Sequence, residues 1–319
     1  MPTRARGLTV ATYNLYLGAD LALLFGVTSA AELDTQVSVV RDQLARTDFT
    51  QRAAAIARIL ARESVDVVGL QEVSRWATAP LSSDGAVGPE VVLGDFLPTL
   101  LDALVKAGTP YDVHAVNRSF TGGLPVDGTW MSVDGANATL VRRNGSFTIT
   151  GERTGTFATT FAVPTGLEGL AFPIVRSWGV VQGEVDGGRV VVANTHTEAY
   201  DAPSRDAQRD ELLALLGDPG CPMVVLGDFN AVPARVGVAA PYRDAWTAAG
   251  HDPEGGHTCG QAADLSNASS RLHERIDYVF VRDAEVLDCR VVGAAQEDRT
   301  SPGRLWPSDH AGVVARLGF

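Results

Sequence analysis

The chain has 319 residues, of which 45% are hydrophobic and 20% are charged, a composition typical of a folded protein with a sizeable core. Its formal net charge is −12 at pH 7, from 26 basic and 38 acidic residues. Non-specific binding of nucleic acid depends on Lys and Arg side chains that neutralise phosphates. The charge therefore disfavours an extended nucleic-acid-binding surface, although it is compatible with a local basic groove.

No segment of the sequence is typical of a membrane span or an export signal. A run of about 18 apolar residues is missing, and the N-terminal region lacks an apolar stretch of signal-peptide length. We therefore expect a cytoplasmic protein, or a secreted one if a leader has been removed. The three cysteines are odd in number and form no CxxC pair, so neither a disulfide framework nor a cysteine-based metal site is indicated.

Hydrophobic periodicity predicts alternating strands and helices along the chain. Apolar side chains at helical spacing predict helices over 51–63 and 205–216. Short buried runs predict strands over 8–14, 65–70, 189–195, 223–226, 275–281 and 312–317, and the stretches 147–154 and 177–183 are candidates for a hairpin pair.

Two stretches rich in Gly, Ser, Pro and Asp, 74–89 and 120–135, are interpreted as loops or insertions because strand signals resume on both sides. The apolar segment 20–27 is interpreted as either a buried helix or an apolar rim of the active-site cleft. The sequence as a whole predicts one domain, residues 1–319, with a mixed β-sheet sandwich flanked by helices.

Polar side chains follow the apolar strands at the points where those strands end. They are Asn14, Glu72, His196, Asp228 with Asn230, and Asp309 with His310. Each has a simpler interpretation when taken alone: Glu72 could cap a helix, and Gly, Asp and Asn residues at 227–230 could form an ordinary turn. Rigid strand ends can nevertheless hold several such groups in one working geometry.

Five short motifs occur in a fixed order: TYNLYLG, VVGLQEV, VVLGDFN, RIDYVF and PSDHAGV. They resemble those of the endonuclease/exonuclease/phosphatase superfamily, which includes deoxyribonuclease I-like nucleases, abasic-site endonucleases, sphingomyelinases and inositol polyphosphate 5-phosphatases. The resemblance extends from about residue 8 to the C-terminus. It implies an α+β fold, a four-layer α/β/β/α sandwich of two mixed β-sheets flanked by helices.

The resemblance also implies a role for each matching residue. Asn14, Glu72 and Asp309 match residues that hold the divalent cation in the family, with Glu72 as the central ligand. Asp228 and Asn230 match the pair that orients or deprotonates the attacking water and holds the phosphate.

The remaining matches concern proton transfer and substrate contact. His310 matches the histidine that contacts the scissile phosphate and acts as acid or base. Asp277 matches the carboxylate that forms a hydrogen bond with that histidine. His196 matches a position where sphingomyelinase-type phosphodiesterases carry histidine. Asn137 and Arg176 lie where members place phosphate-facing groups.

One departure from the pattern concerns Tyr16. Many nuclease members carry a carboxylate two residues after the first asparagine, so Tyr16 puts a second metal ligand there in doubt. Together with His196, it moves the match toward sphingomyelinase-like and phosphatase-like members.

The residue types fit phosphate-ester chemistry. Carboxylate and amide oxygens are the ligands that Mg²⁺ or Mn²⁺ prefers, whereas the lack of a Cys/His cluster disfavours zinc. A bound cation neutralises phosphoryl charge and lowers the pKa of a bound water. A histidine beside a carboxylate has a fixed tautomer and a stabilised charged form.

Three functions are open on the sequence. The first is a Mg²⁺-dependent phosphoesterase acting on a small molecule or a phospholipid-like ester, monomeric, and in contact with a membrane only if the substrate is a lipid. The second is a DNA or RNA nuclease with the same site. The third is a binding or biosynthetic protein in which the metal site has been redirected to other chemistry.

Overall fold

The computed structural model describes residues 7–126, 128–164 and 171–319, and the structural statements below refer to these ranges. Its strands, in chain order, are β1 (Gly7–Asn14), β2 (Val67–Pro80), β3 (Val91–Asp95), β4 (Tyr111–Val126), β5 (Thr129–Arg142), β6 (Thr148–Thr156), β7 (Phe161–Pro164), β8 (Ala171–Ile174), β9 (Ser177–Val185), β10 (Gly188–His196), β11 (Met223–Asp228), β12 (Arg243–Asp244), β13 (Asp277–Arg282), β14 (Glu285–Val292) and β15 (Gly312–Gly318).

The helices are α1 (Ala30–Arg46), α2 (Phe49–Arg62), α3 (Phe96–Lys106), α4 (Ala202–Leu216) and the short α5 (Ala245–Ala248). Two 3-10 helices cover Leu21–Leu24 and Gln296–Asp298. None of the helices in the described ranges has the length and apolar character needed to cross a membrane.

Two mixed sheets contain most of the strands. The first has the order β14-β15-β1-β2-β5-β4, with β3 paired to β2, and the second has the order β12-β13-β11-β10-β9-β6. In each sheet one central pair is parallel, β1 with β2 and β10 with β11, while the neighbouring pairs are antiparallel. Because the carboxyl ends of parallel strands meet at the same edge, each sheet brings two strand ends together there.

Three hydrophobic clusters separate four layers. One lies between the two sheets and joins Val10 of β1 to Val192 of β10 and Val224 of β11. Another packs Ile56 and Leu60 of α2 against the outer face of the first sheet. The third packs Leu212 and Leu216 of α4 against the outer face of the second. The predicted four-layer α+β sandwich of two mixed sheets is therefore confirmed.

Helix α2 illustrates how the sequence specifies these layers. Asp48 caps its first turn by accepting a hydrogen bond from the Gln51 amide at 3.2 Å. Ile56, Ile59 and Leu60 then face the sheet and are fully buried. Each such side chain stabilises the fold by about 1.5–3 kcal/mol relative to an exposed position.

The predicted strands and helices correspond to elements of the structure. The two candidate hairpin strands are β6 and β9, which pair antiparallel with a register shift between Ile149 and Gly151, but they do not form a hairpin because β7 and β8 lie between them in the chain. The loop interpretation of 74–89 and 120–135 is largely wrong. Strand β2 continues to Pro80, and β4 and β5 form a long hairpin through much of the second stretch. A Cβ at Gly123 would stand 2.4 Å from the Trp130 ring, so this glycine makes room for an indole across the strand rather than for a turn. Helices α1 and α3 have no counterpart among the predicted elements.

Candidate active site

The ends of the two parallel strand pairs face each other across the sandwich. Asn14 is the last residue of β1, and its Nδ2 donates to Asp228 Oδ2 at 3.0 Å and to Glu72 Oε1 at 3.1 Å. His196 ends β10 and stands in register with Asp228 at the end of β11, which in turn is opposite Asp277 on β13. The amide of Asn14 therefore ties a carboxylate of one sheet to a carboxylate of the other.

Glu72 reaches the site because β2 bulges at that point. The pairing of β2 with β5 shifts between Leu70 and Val73, and Glu72 has a φ of 55°, a left-handed conformation that is uncommon for a residue other than glycine. A bulge of this kind re-aims a side chain. The Glu72 carboxylate accepts a second hydrogen bond from the Leu17 amide at 2.7 Å.

The loop before β15 brings Asp309 and His310 to the same place. Ser308 Oγ donates to the Asn14 carbonyl at 2.7 Å and accepts from the His310 amide at 3.1 Å, which attaches this loop to the end of β1. Burial, with the nearby Glu72 carboxylate, raises the pKa of Asp309 to about 6. The site thus concentrates carboxylates whose negative charges repel one another.

His310 and Asp277 form a buried pair. Their Nδ1 and Oδ2 atoms are 2.8 Å apart, and Nε2 of His310 lies 3.9 Å from Asp228 Oδ2. Burial alone lowers the pKa of His310, but Asp277, Cys259 and Asp309 together outweigh it, so the pKa lies well above its ordinary value. The imidazolium then donates from Nδ1 to Asp277 and directs Nε2–H toward the cleft side of Asp228.

His196 is held in the opposite protonation state. Its Nε2 lies 3.5 Å from Asp228 Oδ2, yet burial and the charge of Arg176 keep its pKa well below the ordinary value. The pKa of Asp228 is raised to about 7, first by burial and then by Asp277. Asp228 is therefore placed among a neutral histidine, a charged histidine and the Asn14 amide.

Asn230 follows Asp228 in a turn at a φ of 48°. Its backbone amide donates to Asp228 Oδ1 at 2.9 Å, and its side-chain Nδ2 donates to the Thr197 carbonyl at 2.9 Å. The turn interpretation of this motif therefore fits the structure, the turn itself orients Asp228, and the functional role of the pair stays a prediction. Asn230 also lines the cleft.

Arg176 lies in the lining of the cleft, and its predicted contact with a phosphate stays a prediction. Its Nε is 3.4 Å from Oε2 of Glu198, and both side chains are buried. Glu198 is a residue that the sequence analysis missed. Its signal is an acidic residue two positions after His196, at a strand end that is otherwise buried.

Asn137 does not belong to this group. It is fully buried on β5, where its Nδ2 donates to Asn117 Oδ1 at 3.1 Å and to Ser177 Oγ at 3.2 Å, and it is not part of the cleft lining. The predicted direct contact with a phosphate is not supported, because the side chain is used to join the two sheets.

Tyr16 occupies the position where many nucleases carry a carboxylate. It is 5% exposed, and its hydroxyl donates to the Ala263 carbonyl at 2.8 Å. Burial raises the pKa of the phenol, so the group is neutral and offers no anionic ligand. It fills the wall beside Glu72.

Arg52 of α2 is a second residue that the sequence analysis missed. Its guanidinium is fully buried and donates to the carbonyls of Thr47, Tyr16 and Pro307 at 2.8, 3.2 and 3.2 Å, and to that of Leu15. It therefore holds the loop after β1 against the loop before β15. An arginine in the middle of an amphipathic helix gives no sign of this role in the sequence.

The polar groups open into one cleft with a volume of about 480 Å³. Glu72, His196, Asp228, Asp309 and His310 line it. The segment after β1, which forms the 3-10 helix Leu21–Leu24, lines it as well, so the apolar-rim interpretation of 20–27 fits the structure better than a buried α-helix. A volume of this size is typical of a small-ligand site.

The donor set fits a hard divalent cation. Glu72 and Asp309 supply carboxylate oxygens, and Asn14 lies between Glu72 and Asp228. Atoms of Asp228, Asp277 and His310 also lie within 4.8 Å of one another, which is a second possible grouping around a cation. Because His310 Nδ1 and Asp277 are already paired with each other, we interpret those three residues as a hydrogen-bonded relay, and the cation role of Glu72 and Asp309 stays a prediction. The Asn14 oxygen accepts from the Tyr16 amide at 2.9 Å while its nitrogen faces the carboxylates, so the metal role of Asn14 stays a prediction.

The chain thus combines a four-layer sandwich with carboxylates, amides and histidines at facing strand ends, the fold that the motif resemblance implied. The model of the Endonuclease/Exonuclease/phosphatase family matches residues 11–310. The chain belongs to this family, whose members are in general hydrolases that act on phosphoesters.

Solved structures with the same fold cover nearly the whole chain. An endonuclease/exonuclease/phosphatase from Bacteroides vulgatus is 19% identical, with a TM-score of 0.61 over 98% of this chain and 99% of that one. Truncated TDP2 from Caenorhabditis elegans is 19% identical, with a TM-score of 0.58 over 98% of both chains. TDP2 from D. rerio, complexed with single strand DNA product, is 16% identical, with a TM-score of 0.57 over 98% and 99%. A comparison with curated proteins found no match.

Proposed function

We propose that the protein is a divalent-cation-dependent phosphoesterase that hydrolyses a phosphodiester or phosphomonoester by attack of water on phosphorus. The substrate is a small molecule or a phospholipid-like ester. The observation that carries the proposal is the position of Asp228. Its Oδ2 lies within 4 Å of nitrogen atoms of His196, His310 and Asn14. The same Asn14 amide also donates a hydrogen bond to Glu72.

Each residue has a role that follows from its contacts. Glu72 and Asp309 hold Mg²⁺ or Mn²⁺, and Asn14 keeps the Glu72 carboxylate directed at the site. The cation, when bound, neutralises charge on the phosphoryl oxygens and acidifies a bound water. Arg176 lies in the lining with its buried partner Glu198 and supplies positive charge to the same cleft.

Proton movement falls to the residues around Asp228. Asp228 orients the water and accepts its proton, since its carboxylate lines the cleft and its raised pKa of about 7 suits a group that takes up a proton. His310 carries a proton on Nε2 and gives it to the leaving oxygen or binds the phosphoryl oxygen, while Asp277 fixes its tautomer and stabilises its charge. His196 is neutral and contributes a hydrogen bond rather than a charge.

A nuclease with the same chemistry is the second candidate. It draws on the fold shared with D. rerio TDP2, which is known in complex with single strand DNA product. It requires cations along the cleft for successive phosphates. Among the described lining residues, Arg176 is the single Lys or Arg, which favours the small-molecule substrate.

The test is a panel of bis-p-nitrophenyl phosphate, sphingomyelin, inositol phosphates and an oligonucleotide, each assayed with Mg²⁺ and with EDTA. We expect hydrolysis of at least one non-nucleic-acid ester with Mg²⁺, loss of it with EDTA, and loss of it in Glu72→Ala. Asp42→Asn, which changes an exposed carboxylate on α1, is the matched control and retains activity.

Two results would reject the proposal. Full activity in EDTA or in Glu72→Ala contradicts the cation role, and cation binding by calorimetry without hydrolysis of any ester indicates a redirected, non-hydrolytic site. Cleavage of the oligonucleotide alone selects the nuclease.

A further inference from the structure

One wall of the cleft is an apolar surface on β4 and β5 that leads away from Glu72. Gly135 of β5 pairs with Ser74, which lies two residues after Glu72. Met131, four residues before Gly135 on the same strand, pairs with Leu124 of β4. All of these residues line the cleft. Since a strand rises about 3.3 Å per residue, the wall extends about 13 Å from Gly135, near Glu72, to Met131.

Three other segments of the chain add aromatic rings to the lining of the cleft. Phe25, directly after the 3-10 helix Leu21–Leu24, packs against Phe172 of β8 with ring centroids 5.7 Å apart and against Tyr200 at 5.1 Å. All three rings line the cleft together with Leu24. We call the surface formed by Leu24, Phe25, Leu124, Met131 and Phe172 the apolar arm of the cleft.

The charges in the described lining suit a single phosphate. Arg176 is the one Lys or Arg there, and it is already near Glu198, whereas the carboxylates of Asp20, Glu72, Asp228 and Asp309 line the same cleft. A polyanion would bring several phosphates toward these carboxylates with one arginine to receive them. An ester with one phosphate and an uncharged remainder avoids that repulsion.

We infer that the substrate is an ester in which one phosphate at Glu72, Asp309 and His310 is joined to an extended apolar group, an alkyl or aryl chain, that lies in the apolar arm. This inference rests on the proposed phosphoesterase function and adds the substrate class to it. Burial of the chain removes apolar surface from water, so affinity rises with chain length. Phe25 and Phe172 are the residues that set this specificity.

The first experiment compares chain lengths. Alkyl 4-nitrophenyl phosphates and monoalkyl phosphates with methyl, butyl and octyl groups, and the phenyl esters, are assayed with Mg²⁺ at concentrations where they are monomeric. We expect kcat/KM to rise about 100-fold from methyl to octyl in the series that is hydrolysed. The phenyl ester distinguishes an aryl from an alkyl substrate: a site for an aryl group gives a higher kcat/KM for the phenyl ester than for the butyl ester.

The second experiment changes the arm. Phe172→Ala and Phe25→Ala are expected to lower the octyl-to-methyl ratio of kcat/KM by about tenfold each. Phe161→Ala is the matched control: Phe161 lies on β7, pairs across the same hairpin with Ile174 and is not part of the cleft lining, so the ratio stays at the wild-type value.

A third measurement separates this inference from the proposed function. Calorimetric titration with methyl- and octylphosphonate in the presence of Mg²⁺ measures binding to the apolar arm without catalysis, because the C–P bond is not hydrolysed, and we expect detectable octylphosphonate binding that Phe172→Ala weakens. A flat chain-length profile, or equal binding of the two phosphonates, overturns the apolar arm while leaving a phosphoesterase in place. Octylphosphonate binding with no hydrolysis of any ester rejects the phosphoesterase and retains the arm as a ligand site.

Discussion

The hydrogen bond between Asp277 and His310 stabilises the charge and fixes the tautomer of the histidine. Its Oδ2 lies 2.8 Å from His310 Nδ1, and the pair is buried. Replacing Asp277 with Asn keeps the shape but removes the charge that stabilises the imidazolium and fixes its tautomer. We expect kcat to fall by about 10²–10⁴-fold with little change in melting temperature, measured on the ester that the substrate panel identifies.

The matched control for that experiment is Asp288→Asn, a partly exposed carboxylate on β14 whose partner is Arg290. It should retain wild-type kcat. Activity of Asp277→Asn within twofold of wild type would mean that His310 needs no carboxylate partner, and the proton-transfer role proposed for the pair would be wrong.

The cysteines provide a test of burial at single positions. Burial raises the pKa of the Cys289 thiol to about 12, so thiolate is nearly absent at pH 8, whereas Cys221 is only partly buried. Since the thiolate is the reactive form, we expect a disulfide reagent at pH 8 to modify Cys221 first and Cys289 only in denaturant. Peptide mapping after a short exposure identifies the site. Rapid labelling of Cys289 in the folded protein would contradict its place in the core between the sheets.

At the scale of elements, the loops at 15–17 and 307–310 depend on helix α2. Arg52 donates to carbonyls in both, and burial lowers its pKa only to about 10, so it remains charged at neutral pH. Arg52→Lys keeps the charge but loses the planar fork that reaches several carbonyls at once. We expect Mg²⁺ affinity to fall about tenfold, since groups that orient metal ligands act at this magnitude, together with about 2 kcal/mol of stability from buried carbonyls left without donors.

Arg58→Lys on the same helix is the control, because Arg58 is exposed and donates to one carbonyl, that of Arg299. Calorimetry gives the Mg²⁺ dissociation constant for each variant, and thermal unfolding gives the stability. A loss of stability in Arg52→Lys with unchanged Mg²⁺ affinity would mean that Arg52 supports the fold without positioning the site.

The elements and the site differ in how far the sequence predicts them. Strands such as β1 and β11 are short apolar runs that end in a polar residue, and this local signal predicts both the strand and the position of Asn14 or Asp228 at its end. The convergence of those ends depends on sheet packing between distant segments, and it could be inferred only through the family resemblance. The bulge at Glu72 and the role of Arg52 have no local signal, because both arise from contacts made after folding.

In the β4–β5 hairpin a local signal is present in the sequence, but it predicts the wrong structure. Its Gly and Ser content is typical of loops, yet Gly123 and Gly135 lie in paired strands: the Trp130 ring occupies the space of a Cβ at Gly123, and a Cβ at Gly135 would lie 3.2 Å from Ser119 Oγ. The misinterpretation mattered for function, since Leu124 and Met131 of this hairpin form part of the cleft wall. A composition argument cannot distinguish a glycine required for a turn from one required for close packing.

At the scale of the whole molecule, the carboxylates of both sheets meet in one site, so cation binding should be coupled to global stability. Glu72 comes from the first sheet, Asp228 from the second and Asp309 from the last loop, and burial raises the pKa of Asp228 to about 7 and that of Asp309 to about 6. A ligand that binds only the folded state at 100 times its dissociation constant adds about 2.7 kcal/mol. For a domain of this size, we expect Mg²⁺ to raise the melting temperature by about 4 °C relative to EDTA. In Glu72→Gln that increment should disappear, while the exposed-carboxylate variant Asp42→Asn should retain it. An increment of equal size in Glu72→Gln would place the cation elsewhere in the molecule, away from the bulge that directs Glu72 into the cleft.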